Sequence, residues 1–346
     1  MSSSSEYDGI NAKIKGMRGQ LLRDEDYETL ARAKTVEEVA LSLRGFKPYE
    51  RAVSSLERQL PHRGMVEQKI ISTLADDFRR IYRFIADDQS RRFLSAYFLK
   101  NEIRLLKQIM AAVRDKRDVS FMLSDLDAFA AGKFDIDAAK LLSSRSVPDF
   151  IENLRGTGFH SVLAGGPEDG RNSFDADTRL DIYYYVHLWR LQNTSLEQDN
   201  QEVLALINGA EIDMRNILWI YRMKIHYSLK RSDIYAHLIP VLFRLRREKL
   251  ARMVEAPTAD ELRAAIAASP YGEALGGPEE DLEQNYYTAM SGLLRRQRQN
   301  NPDSLAPVVD YLFRKELEIK NITSLIEGVR YALRQADILR FLVLPQ

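Results

Sequence analysis

Apolar residues recur at steps of three and four along nearly the whole chain, the period of one helical face. The pattern predicts long helices over 65–86, 90–114, 178–192, 196–208, 210–227, 281–299 and 304–333. Its most regular stretch is 311–333, YLFRKELEIKNITSLIEGVRYAL. There Leu312, Ile319, Ile322, Ile326, Val329 and Leu333 form a narrow apolar seam on an otherwise charged rod. Glu316 and Lys320 stand four apart with the acid first, the favourable order. Alternating Val/Ile/Thr-rich runs are scarce, so strands have little to be built from. The expected fold class is all-α.

The pattern also repeats. Glu316-Leu-Glu-Ile-Lys-Asn-Ile echoes Glu211-Ile-Asp-Met-Arg-Asn-Ile and, more faintly, Glu102-Ile-Arg-Leu-Leu-Lys-Gln. The glutamates are 109 and 105 positions apart. A second motif keeps the same period. Thr35 with Glu38 and Thr258 with Glu261 read as capping boxes, and Ser146 before Pro148 reads as a third helix start. Eight residues after each cap comes an inward aliphatic: Leu43, Leu154, Ile266. An aromatic follows, Tyr49, Phe159 or Tyr271, the two tyrosines each after a proline. Leu163-Ala-Gly-Gly-Pro-Glu-Asp and Leu275-Gly-Gly-Pro-Glu-Glu-Asp are a further echo. A period near 110 is too long for a helical solenoid, whose repeats run to about 34–47 residues. It predicts three helical lobes, 1–115, 116–229 and 230–346, parted where charged residues cluster at 114–118 and 229–233.

Composition then removes function classes. Fifty basic side chains balance fifty acidic ones in 346 residues, which leaves no basic face for general nucleic-acid binding. The absence of cysteine excludes disulfides, thiolate metal sites and a cysteine nucleophile. The start, MSSSSEYDG, lacks the apolar core of a signal peptide. HLIPVLFRL and ILRFLVL, the longest apolar runs, fall short of the ~20 residues of a spanning helix. A soluble protein is expected, with any membrane role peripheral.

Candidate chemistry is thin. The Gly-Gly-Pro loops lack the lysine of a phosphate-binding loop and are acidic, so helix-to-helix turns are the better reading. Asp76-Asp77 and Asp87-Asp88 stand eleven apart without the third acid of a magnesium-binding DDxxD motif. Surface pairs Asp76–Arg80, Asp87–Arg91 and Asp88–Arg92 account for them better. His62, His160, His187, His226 and His237 show no metal-ligand spacing, and no serine stands in GxSxG. The basic runs 244–252 and 295–298 read first as solvated helix faces, and Glu102, Glu211 and Glu316 first as structural. No catalytic residue, metal or cofactor is expected.

The three all-α units, the capped short helix ending in Pro-Tyr and Tyr311–Ile322 together resemble the C/d subunit of V-type and A-type rotary ATPases. The resemblance spans the chain and is most specific at 17–49, 211–222 and 311–322. The first unit departs from the pattern, with Leu106-Lys107 where the others have Arg215-Asn216 and Lys320-Asn321. The resemblance implies a non-catalytic, funnel-shaped rotor subunit on the cytoplasmic face of the membrane. It would link the central axle of the ATP-hydrolysing head to the proteolipid ring and so couple ATP turnover to H+ or Na+ transport. Three similar lobes in head-to-tail contact close into a ring, and packed helices deform little under torque. The partners implied are the axle subunits and the ring, with no nucleic acid and no span of its own. Loops 164–172 and 276–283 recur at equivalent points, which makes Glu168, Asp169, Glu279 and Glu280 interface candidates. Arg246, Arg247, Arg295 and Arg296 are their basic counterparts. The rival reading is an all-helical repeat scaffold for other protein partners.

Overall fold

The structure, a computed structural model, describes residues 3–54, 56, 63–117, 136–165, 173–278 and 281–344; for 3–6, 138 and 173 only the backbone is described. No strand occurs among these residues. Among these residues helix α1 (Ser3–Arg18) precedes three runs of five helices. The first run is α2 (Asp24–Leu30), α3 (Val36–Leu43), α4 (Lys47–Ser54), α5 (Arg63–Tyr82) and α6 (Asp88–Arg114). The second is α7 (Ala138–Leu142), α8 (Val147–Asn153), α9 (Gly158–Ala164), α10 (Ser173–Ser195) and α11 (Gln198–Ile225). After α12 (Arg231–Ala236) come α13 (Arg247–Glu255), α14 (Ala259–Ala267), α15 (Gly272–Leu275), α16 (Leu282–Asn300) and α17 (Ala306–Arg330), and α18 (Gln335–Arg340) ends the series.

The three hydroxyl residues start α3, α8 and α14. Each accepts the backbone N–H three residues on: Glu38 to Thr35 at 3.2 Å, Asp149 to Ser146 at 3.3 Å, Glu261 to Thr258 at 3.2 Å. The returning carboxylate behaves differently from the expected box. Glu38 accepts the N–H of Lys34 at 2.7 Å and Asp149 that of Arg145 at 2.9 Å, one residue before the cap. In the third copy that residue is Pro257, which has no N–H. There the Thr258 hydroxyl itself lies 3.4 Å from the Glu261 carboxylate. Behind each cap the same positions are buried, Val39, Phe150 and Leu262 and then Leu43, Leu154 and Ile266.

The long helices α6, α11 and α17 also end alike. Lys116, Ser228 and Ala332 have φ of 53°, 49° and 51°, the left-handed conformation that turns a chain off a helix. The next N–H reaches back into the last turn, Arg117 to Ala112 O at 2.9 Å, Leu229 to Met223 O at 2.9 Å, Leu333 to Gly328 O at 3.0 Å. Leu333, expected in the seam of the last helix, therefore lies beyond it and is 42% exposed.

The chain forms two compact units. Unit 1 is Met1–Ala86 with Ser291–Gln346, and unit 2 is Asp87–Met290. The sequence thirds cut across this grouping, because α17 packs in unit 1 against α1, α3, α5 and α18. So many neighbours alter the expected narrow seam. Asp310, Lys315, Glu318 and Asn321 are buried along with Leu312, Ile319, Ile322 and Ile326. In unit 2, α11 packs against α10, α12, α13 and α14, and α6 against α7, α8 and α10. The predicted break between 208 and 210 is absent, and α11 runs straight through Gly209. A Cβ there would come within 2.5 Å of the Phe243 ring, so the glycine serves close packing instead of a turn.

Candidate functional site

The echoed heptapeptides hold the chain in place. On α11, Asp213 is fully buried and accepts the backbone N–H groups of Phe243 (3.1 Å), Arg244 (2.6 Å) and Leu245 (2.8 Å). Its Oδ2 also takes the Tyr271 hydroxyl at 2.8 Å. One turn later Asn216 clasps Ile239, donating to its carbonyl at 3.1 Å and accepting its N–H at 2.9 Å. On α17 the same register recurs. Glu318 accepts the Leu22 N–H and the Tyr49 hydroxyl, and Asn321 clasps Val343 through both its groups, at 2.8 and 3.0 Å. Leu22 and Leu245 each lie thirteen residues before their cap, Thr35 or Thr258. An irregular segment has few backbone bonds of its own, and a carboxylate or amide on a rigid helix satisfies them.

The ionic surroundings differ. In unit 1 the fully buried Lys315 ammonium donates to Glu318 at 2.8 Å and to the Tyr49 hydroxyl at 2.7 Å. Burial, and then the Glu318 charge, pushes the Tyr49 phenol well above its ordinary range. Asp77, expected on a surface, is buried and accepts the Tyr311 hydroxyl at 2.6 Å. Burial raises its carboxyl, with Lys315 the largest opposing influence. The expected i,i+4 pairs are replaced by Arg79–Asp76 at 2.7 Å and Arg80–Asp77 at 3.3 Å, because Asp77 turns inward. Asp87 instead caps α6, accepting the Ser90 N–H at 2.6 Å, and Asp88 lies 3.9 Å from Arg91.

The repeated glutamates part company. Glu211 is buried and accepts the Tyr185 and Tyr286 hydroxyls at 3.1 and 3.3 Å, with the Arg215 guanidinium 4.3 Å from the Tyr286 ring centre. Glu102 has Leu106 where Glu211 has Arg215, and burial alone pushes its carboxyl up to about 8. Two residues on, Arg104 stands where the others have Asp213 and Glu318, and Phe159 stands where they have tyrosine. Acid and hydroxyl are lost together in that copy.

Among the basic candidates, Arg246 and Arg247 are exposed where α13 begins, as N-cap and first helical residue. The run 244–252 is thus only partly helical, since Arg244 lies in the segment held by Asp213. Arg295 and Arg296 are exposed on α16, but Arg298 turns inward to the buried Asp310 at 2.8 Å. The run 295–298 therefore does not form one face. Glu168, Asp169, Glu279 and Glu280 lie outside the described residues. The described part of the second Gly-Gly-Pro turn borders a cavity of about 370 Å³ with Tyr221, Arg263, Ile266, Leu275 and Leu282. Its Gly276 N–H is spent on Gly272 O at 2.7 Å, a turn bond and not a phosphate cradle. Among the described residues no group of three or more His, Asp or Glu is placed to hold a metal.

This frame, repeated along the chain, coincides with a known family. Residues 10–341 match the family described as ATP synthase (C/AC39) subunit. The chain belongs to it. Curated relatives of this C/AC39 member include the C subunit of the A-type ATP synthase of Halobacterium salinarum, 26% identical over 99% of both chains. Its counterpart in Methanosphaera stadtmanae is 26% identical over 92% of this chain and 83% of its own. That of Methanosarcina mazei is 23% identical over 94% and 89%. The chain is thus a subunit of an A/V-type ATP synthase complex, and among its described residues no helix is long and apolar enough to cross a membrane. Sequence reasoning missed the roles of Asp213, Glu318 and the two asparagines. Their signal was present, an acid and an asparagine at fixed places in two echoed heptapeptides.

Proposed function

We propose that this chain is the non-catalytic rotor subunit that joins the central axle of the ATP-hydrolysing head to the membrane proteolipid ring. It works on the cytoplasmic face, coupling ATP turnover to ion transport. The family match over residues 10–341 carries this reading. The subunit needs no reacting group for such work. It needs segments that keep their shape under load, and buried carboxylates gripping irregular backbone supply that stiffness. Three lobes in the register 1–115, 116–229 and 230–346 around a central opening accommodate an axle of low symmetry above a ring of high symmetry.

The contacts are assigned to the exposed Arg246, Arg247, Arg295 and Arg296 and to the acidic Glu168, Asp169, Glu279 and Glu280 of the two echoed Gly-Gly-Pro segments. Such contacts are screened over ~8 Å at physiological salt, so assembly should weaken as salt rises. The test is reconstitution of the whole complex with Arg246→Glu/Arg247→Glu. Hydrolysis should continue while ion transport falls, and the isolated variant should keep the helicity and melting temperature of the parent. Coupling that survives the double reversal and assembly indifferent to salt would sink the polar interface. Failure to co-purify with axle or ring subunits would sink the reading itself.

A further inference from the structure

Three arginines meet one buried carboxylate in unit 1. Asp310, fully buried on α17, has Arg314 Nε 2.9 Å from Oδ1 and, from α16, Arg298 Nε 2.8 Å from Oδ2. The second contact is a charge pair without the alignment of a hydrogen bond. Both arginines are themselves largely buried, Arg298 20% and Arg314 15% exposed. Arg18, the last residue of α1, supplies a third positive charge. Burial holds the Arg298 guanidinium below its ordinary value; Asp310 opposes that, and the like charges of Arg18 and Arg314 add to it. Asn11, two turns before Arg18 on the same face of α1, donates to the Pro302 carbonyl at 2.8 Å, just ahead of α17.

The charges do not balance. Three guanidiniums against one carboxylate leave a surplus of two positive charges where water screens them poorly. Nor are the donors used up. A guanidinium is a planar fork of N–H groups, and Asp310 meets both forks through Nε. Among the described residues Asp310 is the one ion-pair partner of Arg298 and of Arg314, which leaves the outer nitrogens of both forks for another acceptor. The repeat does not ask for this cluster. At the register of Asp310 the other copies have Ala96 and Ala205, and at that of Arg314 they have Lys100 and Gly209. Helices α6 and α11 form without it, and a buried ion pair is weak evidence of stabilisation.

We propose that Arg18, Arg298 and Arg314 form a binding site for a doubly charged oxyanion, a phosphate group held by the outer guanidinium nitrogens. A divalent anion matches the surplus charge, and a carboxylate would match half of it. Free phosphate and the terminal group of a nucleotide share this chemistry, and the site stands independently of the coupling role. The test titrates the full-length protein with inorganic phosphate, ADP or acetate, in chloride at constant ionic strength. Nitrogen-15 spectra of the arginine Nε groups, assigned by substitution, give the readout. Phosphate should shift the Arg298 and Arg314 signals saturably, and acetate should bind far more weakly. Arg18→Gln should weaken phosphate about tenfold, the scale of one charge-assisted contact, and Arg298→Gln should abolish saturation. ADP that competes with phosphate makes the ligand a nucleotide phosphoryl group, and phosphate binding that ADP leaves untouched makes it free phosphate; either upholds the site. A response to phosphate no greater than to chloride, an adventitious ion only, would overturn it, as would acetate binding as tightly as phosphate. Should Arg298→Gln fail to fold, Arg18→Gln decides, since Arg18 takes no part in the Asp310 pairs.

Discussion

Glu318 of unit 1 and Asp213 of unit 2 stand at one register of the repeat, and both grip irregular backbone and a tyrosine hydroxyl. They differ in how their charge is met. Asp213 has four donors, three of them backbone N–H groups, and needs no cation. Glu318, longer by a methylene, reaches one N–H and one hydroxyl and completes its shell with the buried Lys315. The shared register puts Ala210 opposite Lys315. A buried carboxylate can thus be balanced by converging neutral dipoles or by one opposite charge. The choice fixes what happens when the acid is removed.

The largest effect should follow Glu318→Gln, which strands the Lys315 ammonium in the core. A loss of about 3–5 kcal/mol from unit 1 is expected, read by urea unfolding and by exchange in α17. Adding Lys315→Met should recover most of it, since an apolar replacement of the pair needs no counter-charge. If the single change is mild, Lys315 is not dependent on Glu318. Asp213→Asn should cost less, about 2–3 kcal/mol, because it weakens charge-assisted bonds without orphaning a cation. Its cost should equal that of Glu318→Gln only if the two acids are neutralised alike.

The first copy has Arg104 at that register, and two residues earlier it holds a carboxyl with neither solution. Glu102 is raised to about 8, so the sign runs as for any raised acid. Its contribution is full below the ordinary carboxylate range and is lost as pH rises towards 8. Unit 2 should lose about 2 kcal/mol between pH 5 and pH 9, discounting for remaining solvent contact, and Glu102→Gln should remove that slope. A slope unchanged by the substitution would assign the titration elsewhere. The smallest effect is expected at the caps. Thr258→Ala should cost about 0.5–2 kcal/mol, and more than Thr35→Ala. In the third copy Pro257 has no N–H for Glu261, and the threonine hydroxyl alone joins cap to carboxylate. Equal melting shifts for the two would dismiss the role given to Pro257.

The sequence by itself determined the all-α class, the three caps, the register of the echoed heptapeptides and the family. Each is written in local chemistry: a 3.6-residue apolar period, a hydroxyl three residues before a carboxylate, an acid and an asparagine at fixed spacing. Tertiary structure decided what those residues meet. That Asp77 turns inward, that Glu318 receives Leu22 from the far end of the chain, and that α11 runs through Gly209 to admit Phe243 depend on segments tens to hundreds of positions away. Helical spacing tells which side chains share a face, not which partner covers it. The stretch that forms α17 reads as an amphipathic rod with a narrow seam, and only the packing of α1, α3, α5 and α18 around it buries its charges as well.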